Sequence, residues 1–354
     1  MSPETLKKIR RKTFQLINYL VWLIFSPFKF KKISKSPIKS ILIVNLGFIG
    51  DLLATTPLIK CLSKSYKIDV AVRSGMETIL QNNPHINKIL VFENYPAFEK
   101  KIHQKYQLAI TIYPCSLKMF ITLLKAKITY RIGYAQTAYA NINSFFLTRC
   151  IFPSLREVHK VKENLFPAKY LKVTSKDILM ETFPSKKDGL KVDSLLRKNK
   201  IRNFAIIHPG KRSLAGKNYL WDEKKFAEIV NHLNKKHALP VIIGGSSEDS
   251  LIAKNIISNL DKTEKVYDFT GKLKINEYAS LISKSKILVS IDTSAIHFAA
   301  ASKTKTVALF CTYPETWHPW QHPHNYTLIF NKKVRKIPTE KVKKAIDALL
   351  KGES

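Results

Sequence analysis

The chain has 354 residues, enough for roughly two domains of ordinary size. Apolar residues make up 45% of it and Gly and Pro number only 11 and 16, which excludes a collagen-like chain and argues against wholesale disorder. Lys and Arg number 60 against 26 Asp and Glu, a formal net charge of +34, so the expected company is polyanionic: nucleic acid, an anionic membrane or a phosphorylated substrate.

Residues 1–39 stand apart as a basic amphipathic segment. Lys7, Lys8, Arg10, Arg11 and Lys12 precede an apolar run over residues 14–25, and Lys29, Lys31, Lys32, Lys35 and Lys39 follow it. The run is shorter than the ~20 residues that span a bilayer. No small-x-small cleavage site follows it, as a secretory signal would require. The pattern predicts a helix in the membrane interface, with Tyr19, Trp22 and the phenylalanines at the headgroup boundary and lysines against anionic lipid. A helix packed on the protein's own surface has the same pattern.

Ile41-Leu42-Ile43-Val44 is uniformly apolar and suits a central parallel strand buried on both faces. The turn Asn45-Leu46-Gly47-Phe48-Ile49-Gly50-Asp51 follows, then a helix over residues 52–63 distorted at Pro57. Strands are expected at 68–72, 88–92, 108–112 and 128–132, with helices between most of them, a β-α-β rhythm that implies a doubly wound sheet. Such sheets bind ligands at the carboxyl ends of their strands, where Gly47, Gly50 and Asp51 fall. Asp51 reads either as a helix cap or as a carboxylate that takes a proton from an attacking hydroxyl. A free aspartate has a pKa of ~3.9, and a helix start is expected to hold it lower.

Residues 176–200 are polar and lysine-rich and read as a linker between an N-terminal domain, 40–175, and a C-terminal one, 201–335. The second β-α-β series opens with a strand at 204–207 running into His208-Pro209-Gly210. A helix over 222–236, a strand at 240–243 and the turn Gly244-Gly245-Ser246-Ser247-Glu248-Asp249 come next. Helices are expected at 250–259, 275–284 and 295–302, strands at 287–290 and 306–310, and a closing helix within 336–354. Ser290-Ile291-Asp292-Thr293-Ser294 ends a strand and opens a helix, where hydroxyls and free N–H groups suit a diphosphate. Ordinary capping explains any one of these residues, but less well the cluster with His297 one turn on. Lys211 and Lys217 could reach the same phosphates, and Glu248 could accept ribose hydroxyls or serve the helix dipole.

Cys61, Cys115, Cys150 and Cys311 lie far apart, without a CxxC pair, and read as reduced, mostly buried thiols. The GxxG of the first turn is not a dinucleotide fingerprint, and no zinc finger, RNP-like motif or recognition helix supports nucleic-acid binding. No DxD-type metal clamp stands at a strand end.

Six motifs in one order, from about residue 40 to 335, resemble the heptosyltransferases of glycosyltransferase family 9. They are the opening strand with Gly50-Asp51 and Pro57, Arg131-Ile132-Gly133-Tyr134, Val158-His159-Lys160-Val161-Lys162-Glu163-Asn164-Leu165, His208-Pro209-Gly210, Gly244-Gly245-Ser246-Ser247-Glu248, and Asp292-Thr293-Ser294-Ala295-Ile296-His297. The resemblance implies an α/β protein of GT-B fold, two Rossmann-like domains facing across a cleft. It implies an inverting, metal-independent transfer, without a cofactor, of heptose from ADP-heptose to the Kdo or heptose of a lipopolysaccharide inner core on lipid A.

Asp51 then matches the general base, Gly50 and Arg131 lie on the acceptor side, and Thr293, Ser294 and Ala295 match the donor-diphosphate turn with Asp292 and His297 beside it. Glu248 matches a ribose or adenine-side contact. The family's Lys-x-Trp is spaced differently here, as Lys217-Asn218-Tyr219-Leu220-Trp221, with Lys217 the best match and Lys211 and Arg212 competing. The implied place of work is the cytoplasmic face of the bacterial inner membrane. Another nucleotide sugar or acceptor, or a catalytically silent polyanion-binding protein on this scaffold, fits the same fold.

Overall fold

A computed structural model describes residues 3–29, 33, 38–112, 115–134, 145–151, 158–176, 178–210, 218–261 and 265–351. The chain forms two compact units, 1–178 and 179–354.

The first unit begins with helix α1 (Pro3–Phe25), 23 residues long. Its strands are β1 (Ser40–Val44), β2 (Lys67–Arg73), β3 (Lys88–Phe92), β4 (Leu108–Thr111), β5 (Tyr130–Tyr134) and β6 (Arg149–Ile151). Its other helices are α2 (Ile49–Leu53), α3 (Thr56–Ser63), α4 (Tyr95–Ile102), α5 (Leu117–Lys125), α6 (Lys160–Asn164) and α7 (Phe166–Tyr170). The strands form one sheet in the order β3-β2-β1-β4-β5-β6, and every pair is parallel. The order reverses between β1 and β4, and that crevice is where doubly wound sheets bind ligands. Leu42 and Val44 of β1 pack with Ala109, Phe98, Ile102 and Met119 in one core layer. The expected helix over 52–63 is divided into α2 and α3, because the chain turns at Ala54 and Thr55. Pro57 then sits in the first turn of α3, where its missing N–H costs nothing.

Helix α1 is attached to this unit through its polar side. Gln15, Asn18 and Ser26 are buried, while Leu6, Ile9, Leu16, Ile17, Leu20, Leu23, Ile24 and Phe25 are exposed. Trp22 Nε1 donates to Leu147 O at 3.0 Å, Ser26 Oγ donates to Phe145 O at 2.8 Å, and Trp22 packs beside Phe120, Leu147 and Cys150. A helix on a globular surface ordinarily does the opposite. Among the described residues no helix is long and apolar enough to cross a membrane.

The second unit contains helices α8 (Lys186–Lys198), α9 (Glu223–His237), α10 (Ser250–Ser258), α11 (Ile275–Lys284), α12 (Ser294–Ser302), α13 (Pro314–Trp317) and α14 (Thr339–Lys351). Its strands are β7 (Ala205–His208), β8 (Val241–Ile243), β9 (Val266–Asp268), β10 (Ile287–Ile291), β11 (Thr306–Phe310) and β12 (Tyr326–Phe330). They form a second parallel six-stranded sheet, β12-β11-β10-β7-β8-β9, whose order reverses between β7 and β10.

The expected linker at 176–200 contains α8 instead. Ser185 and Asp188 form a capping box, Val192 and Leu196 are buried, and Lys191 and Asp193 pair with Glu277 and Lys284 of α11 at 2.9 and 2.8 Å. A helix held by two apolar contacts and ion pairs leaves a weak apolar period, which is why its sequence reads as a connector.

Candidate functional site

In the first unit the turn after β1 places Asp51 at the carboxyl end of that strand, in the first turn of α2. Asp51 Oδ2 accepts from Phe48 N at 3.0 Å. Asn45 ties the turn together: its Oδ1 accepts from Gly47 N at 2.9 Å, and its Nδ2 donates to Asp51 O at 3.0 Å and Thr55 Oγ1 at 2.9 Å. Asn164 of α6 donates to Ala54 O and Thr55 Oγ1, both at 3.1 Å. Asn45, Thr55 and Asn164 therefore fix the backbone of the turn, and the Phe48 N–H holds the carboxylate itself.

Burial raises the pKa of Asp51, against the lowering pull of the Phe48 N–H, Lys160 and Arg73. The sequence-based expectation of a lowered value considered only the helix start, and burial outweighs it. A carboxylate of raised pKa is a better proton acceptor at neutral pH. Gly50 immediately precedes Asp51 and lends its carbonyl to Ala54 N at 2.9 Å. Lys160 is buried and bonded to Glu163 Oε2 at 3.1 Å.

Arg131 is not among these residues. It lies near the start of β5, paired with Ala109, and is only 2% exposed. Its guanidinium donates to Phe146 O at 2.7 Å and also to Ile128 O, with the Phe28 ring 4.6 Å away. Burial lowers its pKa to about 10. The expected acceptor-side contact is thus corrected to a residue that stitches β5 to the segment before β6.

In the second unit Asp292, Thr293, Ser294, Ala295 and His297 come together where β10 passes into α12. Thr293 is the N-cap: its Oγ1 accepts from Ala295 N at 3.3 Å and lies 3.1 Å from Ser290 Oγ. Burial raises the pKa of Asp292 to about 7. His297 is buried against Trp317, with ring centres 5.5 Å apart, and burial together with His318 lowers its pKa to about 4. It is neutral at physiological pH and offers a hydrogen bond rather than a charge.

Gly210, after β7, has φ +77° and lies so close to β10 that a Cβ there would meet Ile291 Cδ1 at 2.5 Å and Thr293 Cγ2 at 3.1 Å. Glycine is required there by both backbone and space. Glu248 is exposed on the turn between β8 and α10. Lys217, with Lys211 and Arg212, lies outside the described residues. Trp221, the end of the Lys-x-Trp-like stretch, is buried and donates from Nε1 to Ile337 O at 3.0 Å, so it anchors the loop to the core.

Two buried groups by the turn 244–249, Tyr278 and the Asp249 carboxylate, have no role in the sequence reading, which names their neighbour His208 only as part of the His-Pro-Gly motif. His208 Nδ1 is 2.8 Å from Tyr278 OH, and Asp249 accepts from Ser246 N and Oγ at 2.7 and 2.9 Å. Burial lowers the His208 pKa to about 4, partly offset by Asp249. The Ser246 to Asp249 spacing is a capping-box signature that could have revealed the buried carboxylate.

The arrangement offers a half-buried carboxylate at one switch point and a helix start with hydroxyls at the other. Comparison with known proteins gives the family. The model of Glycosyltransferase family 9 (heptosyltransferase) matches residues 96–347. Lipopolysaccharide heptosyltransferase 3 of Escherichia coli K12 is 27% identical over 340 residues, covering 86% of this chain and 96% of that protein. Among solved structures, the chain is similar to E. coli ADP-heptose lipopolysaccharide heptosyltransferase II, at 19% identity and a TM-score of 0.75, over 89% of this chain and 100% of that one. It is also similar to a family 9 glycosyl transferase from Veillonella parvula, at 16% identity and a TM-score of 0.78, over 89% and 98% of the two chains. The chain belongs to glycosyltransferase family 9: it is a glycosyltransferase with the GT-B fold and has lipopolysaccharide heptosyltransferases among its relatives.

Proposed function

We propose that this family 9 glycosyltransferase moves a heptose from ADP-heptose to the Kdo or heptose of a lipopolysaccharide inner core, with inversion at the anomeric carbon. The observation that carries the chemistry is Asp51, a carboxylate of raised pKa that the Phe48 N–H holds at the carboxyl end of β1. The acceptor oxygen bonds to the anomeric carbon as the bond from that carbon to the phosphate oxygen breaks. The acceptor proton passes to Asp51, and ADP departs with the electron pair.

The leaving diphosphate calls for fixed positive potential, which the start of α12 supplies through its N–H groups and dipole. Thr293, Ser294 and Ala295 meet the phosphates in this reading, with Asp292 and His297 on the sugar side. Glu248 takes the ribose and Lys217 supplies a positive charge. The enzyme works on the cytoplasmic face of the inner membrane, to which the outward apolar face of α1 and the chain's positive charge hold it.

The displaced Lys-x-Trp spacing makes the nucleotide the point to test first. Thermal stability is measured against ADP, GDP, UDP and CDP at fixed salt. Selective stabilisation by ADP is the expected result, of ~2.7 kcal/mol at a ligand concentration of 100 times Kd. Selective stabilisation by UDP or GDP would retain the enzyme class and discard ADP-heptose as donor.

A further inference from the structure

Helices α9 and α14 bring three metal-capable side chains to one point away from the β10–α12 junction. His232 Nε2 and His237 Nε2 lie 2.8 and 2.7 Å from the same oxygen, Oδ1 of Asp347. One ligand atom from each residue falls within 4.8 Å of the others. The imidazole rings are 5.5 Å apart and inclined at 68°, so they approach the carboxylate from different sides. The other carboxylate oxygen accepts from Lys236 Nζ at 2.8 Å. His232, His237 and Asp347 are 13%, 16% and 18% exposed, sheltered yet open to solvent.

We propose that His232, His237 and Asp347 form a binding site for a zinc-class divalent cation that clamps α14 to α9. Two imidazole nitrogens and one carboxylate oxygen suit zinc and its first-row neighbours, whereas magnesium and calcium prefer oxygen ligands. Tetrahedral ligation at ~2.0–2.1 Å sets ligand atoms roughly 3.3 Å apart. The two histidine contacts need to open only slightly, and the fourth position goes to water. Lys236 steadies the carboxylate from its far side, as an outer partner of a metal ligand does.

The clamp acts on a structural seam. Val342, Ile346 and Leu349 of α14 share one buried core with Ile229, Val230 and Leu233 of α9 and with strand residues Ile207 and Val289. Cation binding is therefore linked to the stability of the second unit. None of the residues assigned to the donor belongs to the cluster, so this inference stands apart from the proposed reaction.

The test uses the full chain without a histidine tag, stripped with EDTA and dialysed. Zinc chloride is titrated by calorimetry, cobalt chloride by visible absorbance, and the melting temperature is read with and without zinc. Expected are one equivalent of binding, a tetrahedral cobalt band and a rise in melting temperature. His232→Asn, His237→Asn and Asp347→Asn should each weaken binding at least ~10-fold. Because these variants can lower stability by themselves, each is judged on its own zinc-induced increment. The pair His322 and His324, whose ring centres lie 4.9 Å apart, is the competing place for a cation. His322→Gln with His324→Gln should leave binding unchanged. No saturable zinc binding, binding that survives the three cluster substitutions, or binding lost in the His322 and His324 variant would each overturn the proposal.

Discussion

Gly47 and Asp51 are in van der Waals contact across the turn after β1: a Cβ built on Gly47 would lie 2.5 Å from Asp51 Cβ and 2.6 Å from its Oδ2. The glycine is therefore what lets the carboxylate fold back against its own loop. Gly47→Ala should push the Asp51 side chain out of place while leaving the second unit untouched. Turnover should fall about 10²-fold, the scale of a misplacement near 1 Å, with ADP-induced stabilisation unchanged. Full activity in this variant would show that Asp51 does not work from its observed position.

Asp51→Asn keeps the shape and removes the base. Its turnover should drop ~10²–10⁴-fold, with nucleotide affinity nearly intact. The wild-type profile should carry a matching signature. As a base Asp51 must be ionised, and burial raises its pKa, so kcat/KM should fall with acidity at a higher pH than an ordinary aspartate would impose. That acid limb should vanish in Asp51→Asn. An unchanged rate or an unchanged limb would remove Asp51 from the reaction.

The turn around Asp51 also shows how far the sequence could be read. Short runs such as 41–44 and 287–291 are buried throughout and contain β-branched residues, so strand and burial follow from composition. The loops that bear Asp51 and Thr293 follow from their position after such runs. What could not be read is set by distant contacts. Asn164 reaches Thr55 over 109 positions and Tyr278 reaches His208 over 70. Arg131 reads as an acceptor-side contact only through its place in the Arg-Ile-Gly-Tyr motif, and its position in the fold is set by three backbone carbonyls that accept from Nε and Nη1. The strand β9 was missed because its three residues are half-buried and only three long.

Asp292 should trade stability for function. Burial raises its pKa from 3.8 to about 7. Between those values the folded protein holds a proton that the unfolded chain has released. This contribution to stability is complete below the unfolded pKa and is lost as pH rises through about 7. Asp292→Asn removes the titration. Its unfolding free energy should gain on the wild type between about pH 5 and about pH 8, by an amount of order 1–4 kcal/mol, and its melting temperature should rise relative to the wild type over the same range. Donor turnover should fall in the same variant. A constant difference in melting temperature across that range would show that Asp292 is not held protonated by the fold.

The reversed face of α1 gives the last prediction. Burying Gln15, Asn18 and Ser26 while exposing Leu16, Leu20 and Leu23 is unfavourable in water, and becomes favourable only when another apolar phase covers the leucines. The charge on either side of the helix selects an anionic surface, each Lys or Arg adding ~1 kcal/mol near it. The full chain should therefore bind vesicles containing phosphatidylglycerol more tightly than neutral phosphatidylcholine vesicles, and added salt should weaken the binding. Leu16→Gln, Leu20→Gln and Leu23→Gln together should lower partitioning ~10²-fold. The attachment of α1 through Trp22 and Ser26 should survive, because neither residue is changed. Turnover of a soluble acceptor should be spared and turnover of a vesicle-borne one lost. Equal vesicle binding by the triple variant would mean that the leucine face meets something other than lipid.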